Sequence, residues 1–164
     1  MNKTVISIIV TIVIAGGIVW IARPDSQSSV FPPPTSSGIL VVEETDNHDF
    51  GTISMAAGKV MHQFKIKNTG TEAVAINEMY TSCMCTVASL MMGERRFGPY
   101  GMPGHGSIPK LNQNINPNEE AVIEVIFDPA AHGPAGVGQI QRAVIIENSA
   151  GEPVELQFTA VVTP

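Results

Sequence analysis

Two cysteines one residue apart, Cys83 and Cys85, occur in "YTSCMCTVASLMMGERRFGPYGMPGHGSIP", the stretch from Tyr80 to Pro109. The same stretch carries Met84, Met91, Met92, Met102 and His105. Two thiolates with a thioether or an imidazole suit Cu(I), and two thiolates with two imidazoles suit Zn²⁺. Cys83, Cys85, Met102 and His105 are therefore a candidate copper(I) or zinc site. A dithiol–disulfide pair is the second chemistry such residues perform. In an extended strand, however, the Cα atoms of Cys83 and Cys85 stand about 6.6 Å apart on one face. Bonding them needs a local kink, and a loop this small gains little chain entropy. Met84 in such a strand faces away from both sulfurs, and no second Cys-x-Cys or closely spaced His pair completes a metal set. The plainest alternative is packing, with the cysteines as small buried hydrophobes and the methionines filling gaps. It leads the other two narrowly.

Other candidates have simpler explanations. His62 shares a face with Val60, Phe64 and Ile66, as a core or edge histidine does. His48 and His132 lie in turn-like sequences, where polar side chains cap backbone groups. Asp49 and Asp128 are turn formers in "DFG" and "FDP". Arg95, Arg96, Phe97 and Tyr100 are candidate contacts for a protein partner, within a Gly/Pro-rich segment around 93–107. No phosphate-cradling loop, metalloprotease motif, nucleophile elbow or pair of catalytic carboxylates is present. A non-enzymatic role is the expectation.

The elements that position these residues are legible from hydrophobic period. "KVMHQFKIKN" puts Val60, His62, Phe64 and Ile66 on one side, and "AVIEVIFD" does so with Ala121, Ile123, Val125 and Phe127. "VELQFTAVV" aligns Val154, Leu156, Phe158, Ala160 and Val162, while "GILVVEE", "AVAINEMY" and "IQRAVIIEN" read as further short strands. Turn signals separate them at 68–70, 116–120, 128–136 and 148–153. About seven short strands so punctuated predict an all-β, immunoglobulin-like antiparallel sandwich over residues 39–164, with a Gly/Pro/Met-rich loop at 88–114. The antibody signature is absent, because the cysteines are not on facing strands and no Trp lies in the domain.

Upstream, "TVISIIVTIVIAGGIVWIA" from Thr4 to Ala22 has no charge and would span about 28 Å as a helix, matching a ~30 Å hydrocarbon core. Residues 1–22 are expected to be an N-terminal transmembrane anchor in the bilayer, with a cleaved signal sequence as the rival. Trp20 two places before Ala22 disfavours cleavage, and no Cys follows to take a lipid. Residues 23–38, rich in Pro and Ser, form a semi-rigid linker. A short N-terminal flank before a long domain favours a C-terminal domain outside the cytoplasm, where an envelope protein is the expected partner. Net charge −6 and pI near 5.1 supply no basic field for nucleic acid, and aromatics at 5% supply few stacking surfaces.

Five segments in order then resemble one family: "HDFGTI", "FKIKNTG", "SCMCT", "INPNEEAVIEVIFDP" and "VIIENSAGEPVELQFTAVV". Together they are similar to the bacterial domain-of-unknown-function family 1573, over roughly residues 40–162. The resemblance implies an immunoglobulin-like sandwich related to the ASH, Hydin and major-sperm-protein group. It implies no reaction, and related modules serve mostly in protein binding or assembly. Two departures stand out. Met84 replaces the Gly of the family's usual Ser-Cys-Gly-Cys-Thr, and the segment from Ala88 to Asn114 is longer than typical.

Overall fold

The computed structural model describes residues 38–104 and 108–164. The apolar run 4–22, the linker up to residue 37 and His105 lie outside them. Within the described residues the chain forms ten strands. They are β1 (Leu40–Val42), β2 (Asn47–Ser54), β3 (Val60–Asn68), β4 (Val74–Thr81), β5 (Thr86–Met92), β6 (Arg95–Tyr100), β7 (Gln113–Ile115), β8 (Glu120–Phe127), β9 (Gly138–Asn148) and β10 (Val154–Thr163). Single 3-10 turns occupy Met55–Ala57 and Gly133–Gly136. No helix among the described residues is long and apolar enough to cross a membrane.

Two five-stranded sheets face each other, in the orders β1-β3-β8-β5-β6 and β2-β10-β9-β4-β7. Every pairing is antiparallel except β2 with β10, which run parallel. The count exceeds the expected seven because β2, β5, β6 and β7 carry no clean alternation. The segment 88–114, expected to be a loop, instead contains most of β5, all of β6 and the start of β7. Gly93, at φ 59°, closes the β5–β6 hairpin in the left-handed region that glycine adopts without a Cβ penalty. Gly98 lets β6 press close. A Cβ there would lie 2.9 Å from the Tyr100 ring and 3.0 Å from the Ala88 carbonyl.

The inward faces are those the period predicts. Phe64, Ile66, Ile123, Val125 and Phe127 line the first sheet, and Leu156, Phe158, Ala160 and Val162 the second, all buried. In β4 the alternation slips, because a bulge between Ile76 and Glu78 moves the next inward residue to Met79. Phe158 sits at the centre, edge-on to Phe50 at 5.5 Å and tilted against Phe127 at 5.4 Å.

At one corner the buried Asn68 acts as a polar knot. Its Nδ2 donates to the carbonyls of Glu72 and Ile115 at 2.7 and 2.9 Å, and its Oδ1 accepts from Ile39 and Gly70 N–H at 3.3 and 2.9 Å. One side chain thereby ties the start of β1, the β3–β4 turn and β7 together.

On the outer face of the first sheet, Arg96 reaches across β5 to Glu124 at 2.6 Å and to Ser89 Oγ at 3.2 Å. Glu124 is largely shielded from solvent beneath this guanidinium. Arg96→Ala should cost about 1–2 kcal/mol in chemical denaturation, less than a fully buried pair because the arginine is half in solvent. A change below about 0.3 kcal/mol would mean that water replaces the arginine without loss.

Candidate functional site

The two cysteines lie between β4 and β5, and a dense set of backbone bonds fixes that short connection. Thr81 Oγ1 donates to the carbonyls of Cys83 and Thr86 at 2.9 and 3.0 Å, and Thr86 N–H closes a turn onto the Cys83 carbonyl at 3.1 Å. Ser82 exchanges two bonds with Ala143 of β9, through its N–H and its Oγ, both at 2.9 Å. Asp128 N–H, just past β8, donates to the Cys85 carbonyl at 2.8 Å. The segment is thus turned rather than extended. The Cα atoms of Cys83 and Cys85 stand 5.3 Å apart instead of 6.6 Å, and the two residues are joined as a disulfide. This turn supplies the kink that bonding requires. Met84, at the tip, is 56% exposed and points into solvent.

A third residue completes the arrangement, and it is not one of the expected partners. His132 Nε2 lies 3.1 Å from Cys83 Sγ. Its side chain makes no capping bond to the 3-10 turn it precedes, so the expected capping role is replaced by this contact. Among the described residues, Cys83, Cys85 and His132 are the one group of His, Cys, Asp or Glu side chains able to share a metal ion, their ligand atoms all within 4.8 Å of one another. The cysteines are buried and His132 is exposed, so the site opens on the imidazole side. Asp128 does not join it. Its carboxylate accepts from Ala130 N–H at 3.0 Å, the turn-forming role expected of it, and pairs loosely with Lys59 at 3.9 Å.

The methionines divide by location. Met91 and Met92 lie at the far end of β5, about 20 Å of strand from Cys85. Met92 is buried in the core, which is the gap-filling role. Met102 follows Gly101, whose carbonyl accepts Thr81 N–H at 3.1 Å, in the connection between β6 and β7. His105 falls outside the described residues. Of the candidate partner contacts, Arg96 is engaged with Glu124 and Ser89. Arg95 is exposed, with its guanidinium 5.5 Å from the Phe97 ring, while Phe97 and Tyr100 pack half-buried against the core.

His48 and His62 form a separate pair where the two sheets meet. Their rings stack at 3.6 Å, with Phe50 and Phe64 edge-on. His48 lies in β2 rather than in the expected turn. Burial first, and the neighbouring His48 second, lower the His62 pKa below 6.5, against a smaller opposing pull from Glu44. The folded state therefore favours neutral His62. Its contribution to stability is present above pH 6.5 and is lost as pH falls through the lower folded value. Between pH 7 and 5 the wild-type Tm should drop further than that of His62→Gln. Parallel curves would remove His62 as the source.

Comparison with known proteins adds the fold and little more. Residues 41–94 match a family described as protein of unknown function (DUF1573), a span that includes both cysteines but not His132. No curated protein matches the chain at a significant level. Among solved structures, a protein of unknown function from Porphyromonas gingivalis W83 is 15% identical with a TM-score of 0.58. The match covers 80% of this chain and 51% of that one, so this chain spans about half the length of that protein. The Vibrio cholerae protease VesB is 14% identical with a TM-score of 0.46, over 77% of this chain and 32% of its own. PapD-like (ASH) domain 7 of human CEP192 is 12% identical with a TM-score of 0.47, over 87% and 96% of the two chains.

Proposed function

We propose that this chain is a non-enzymatic protein-binding module, held outside the cytoplasm by the apolar run 4–22, that meets an envelope partner with its β5–β6 hairpin. The observation that carries the reading is the end of that hairpin. Glu94 and Arg95 stand exposed beside Phe97 at the margin of a sheet whose inner face is already filled. Arginine beside an aromatic ring is the side-chain chemistry enriched where protein interfaces concentrate their energy.

Addition of a partner strand is the less suitable mode. β1 and β7 are three residues long, β2 is interrupted by a register shift opposite β10, and β6 contains Pro99. Short, irregular or proline-bearing edges resist pairing with another chain. A partner would engage side chains instead. The disulfide supports placement outside the cytoplasm, since such bonds persist in oxidising compartments.

Two experiments test the proposal. Alkaline carbonate extraction should leave the full-length chain in the membrane pellet, and release of a form beginning near residue 23 would overturn the anchor. Cross-linking in native membranes should then recover a defined partner with the wild type and with Gln139→Glu on the opposite sheet. Arg95→Glu should recover at least about tenfold less, the effect of removing one interface anchor. Equal recovery from Arg95→Glu, or no partner with the wild type, would reject the module reading.

A further inference from the structure

We propose that Cys83, Cys85 and His132 form a three-coordinate site for Cu(I), available when the cysteine pair is reduced and closed when it is oxidised. This goes beyond the binding-module reading and stands independently of it.

The ligand set is assembled from two segments by the fold. The β4–β5 connection brings the two sulfurs to one side of a turn, and the backbone bond from Asp128 to Cys85 docks the 128–136 segment beside them. That segment delivers the imidazole to Cys83. An ion about 2.3 Å from each sulfur and about 2.0 Å from the nitrogen needs trigonally arranged ligand atoms about 4 Å apart. The cluster lies within 4.8 Å, so side-chain rotation alone suffices once the sulfurs separate.

The donor types select the metal. Two thiolates and one imidazole are soft to intermediate ligands, which favour Cu(I) over calcium, magnesium or manganese. Zinc would have to complete a tetrahedron with water, since the Asp128 carboxylate is bonded to Ala130 and faces Lys59, whereas two thiolates and one imidazole alone satisfy three-coordinate Cu(I). The carbonyls of both cysteines are likewise occupied. His132 is the exposed member, so the ion would enter and leave from that side.

Oxidation state gates the site. The disulfide plus two equivalents of a small thiol gives two cysteine thiols and the small-molecule disulfide, a two-electron exchange with the protons supplied by the thiol. Cu(I) then displaces two protons to form the bis-thiolate. The reverse oxidation by a small-molecule disulfide rejoins Cys83 to Cys85 and expels the ion. A bond closing so short a loop contributes little to folding, so the domain persists in either state.

The full chain in detergent micelles, reduced and kept anaerobic, is titrated with Cu(I) against a chromophoric Cu(I) chelator. One equivalent should be withheld from the chelator. Cys83→Ser and Cys85→Ser should each abolish retention, and the oxidised protein should retain none. His132→Ala should weaken binding at least about tenfold, the loss seen even when only an indirect partner of a metal ligand is removed. X-ray absorption of the loaded protein should show two sulfurs and one nitrogen, and circular dichroism should be unchanged across the variants. Absence of retained copper in the reduced wild type overturns the site. So does full retention by His132→Ala, or a larger loss in Met102→Leu than in His132→Ala, since either assigns the third ligand elsewhere.

Discussion

Phe158→Ala should destabilise the domain by about 3–5 kcal/mol, the range for removing a buried aromatic ring. The ring is fully buried on an interior strand of the second sheet and contacts rings from both sheets, Phe50 at 5.5 Å and Phe127 at 5.4 Å. Backbone pairing holds β10 on both sides, to β2 and to β9, so the strand cannot shift inward to fill the void. Most of the cavity would remain, which places the cost toward the upper part of the range. Phe158→Leu keeps much of the volume and should cost about 1–2 kcal/mol. Denaturant unfolding reads both. A Phe158→Ala loss under about 1.5 kcal/mol would mean that the sheets close over the gap.

Asn68→Ala should follow at about 3 kcal/mol, for a different physical reason. Little apolar contact is lost. Instead the N–H groups of Ile39 and Gly70 and the carbonyls of Glu72 and Ile115 lose their shared partner. Each buried polar group left unpaired costs about 1–3 kcal/mol, reduced here because Ile39 and Glu72 lie nearer to water. Asn68→Asp separates the two halves of the knot. It keeps an acceptor for the N–H groups but sets a carboxylate against two carbonyls, so it should be no milder than alanine. If Asn68→Asp were as stable as the wild type, the two carbonyl contacts would carry no weight.

Legibility in the sequence followed one-sided burial. β3, β8 and β10 alternate because one face meets the core and the other meets water, and each was readable residue by residue. β5 was not. It lies between β8 and β6, and Ala88, Ser89, Leu90 and Met92 are all buried, so its two faces do not differ enough to make a period. β6 hides behind Gly98 and Pro99, residues that read as turn formers but here mark an edge. β2 was obscured by "DFG", where Asp49 Oδ1 does accept the Gly51 N–H at 2.9 Å in a local turn, yet within a strand.

The candidate site was half legible. The cysteine spacing announced it, but the extended geometry assumed for that segment was wrong. Met91 and Met92 were attractive because they are near in sequence, and a straight strand carries them away. His132 lies 49 residues from Cys83 and has no motif of its own. What identifies it is the pairing of β5 with β8, which brings the turn after Phe127 beside Thr86. That pairing was not legible while β5 was read as loop.

The parallel pairing of β2 with β10 also sets a timetable. All strands of the first sheet have been synthesised once residue 127 has emerged, but the second cannot be completed before residue 163. At elongation rates of about 5–20 residues per second the difference is about 2–7 s. Until then the second sheet lacks a complete set of strands to lay over Phe64, Ile66, Ile123 and Val125. Such a surface is a substrate for holding chaperones. Asp49 and Thr159, neighbours at 3.2 Å in the finished domain, are among the first and the last of its strand residues to be made. The fold is therefore closed by its final strand rather than grown from its first.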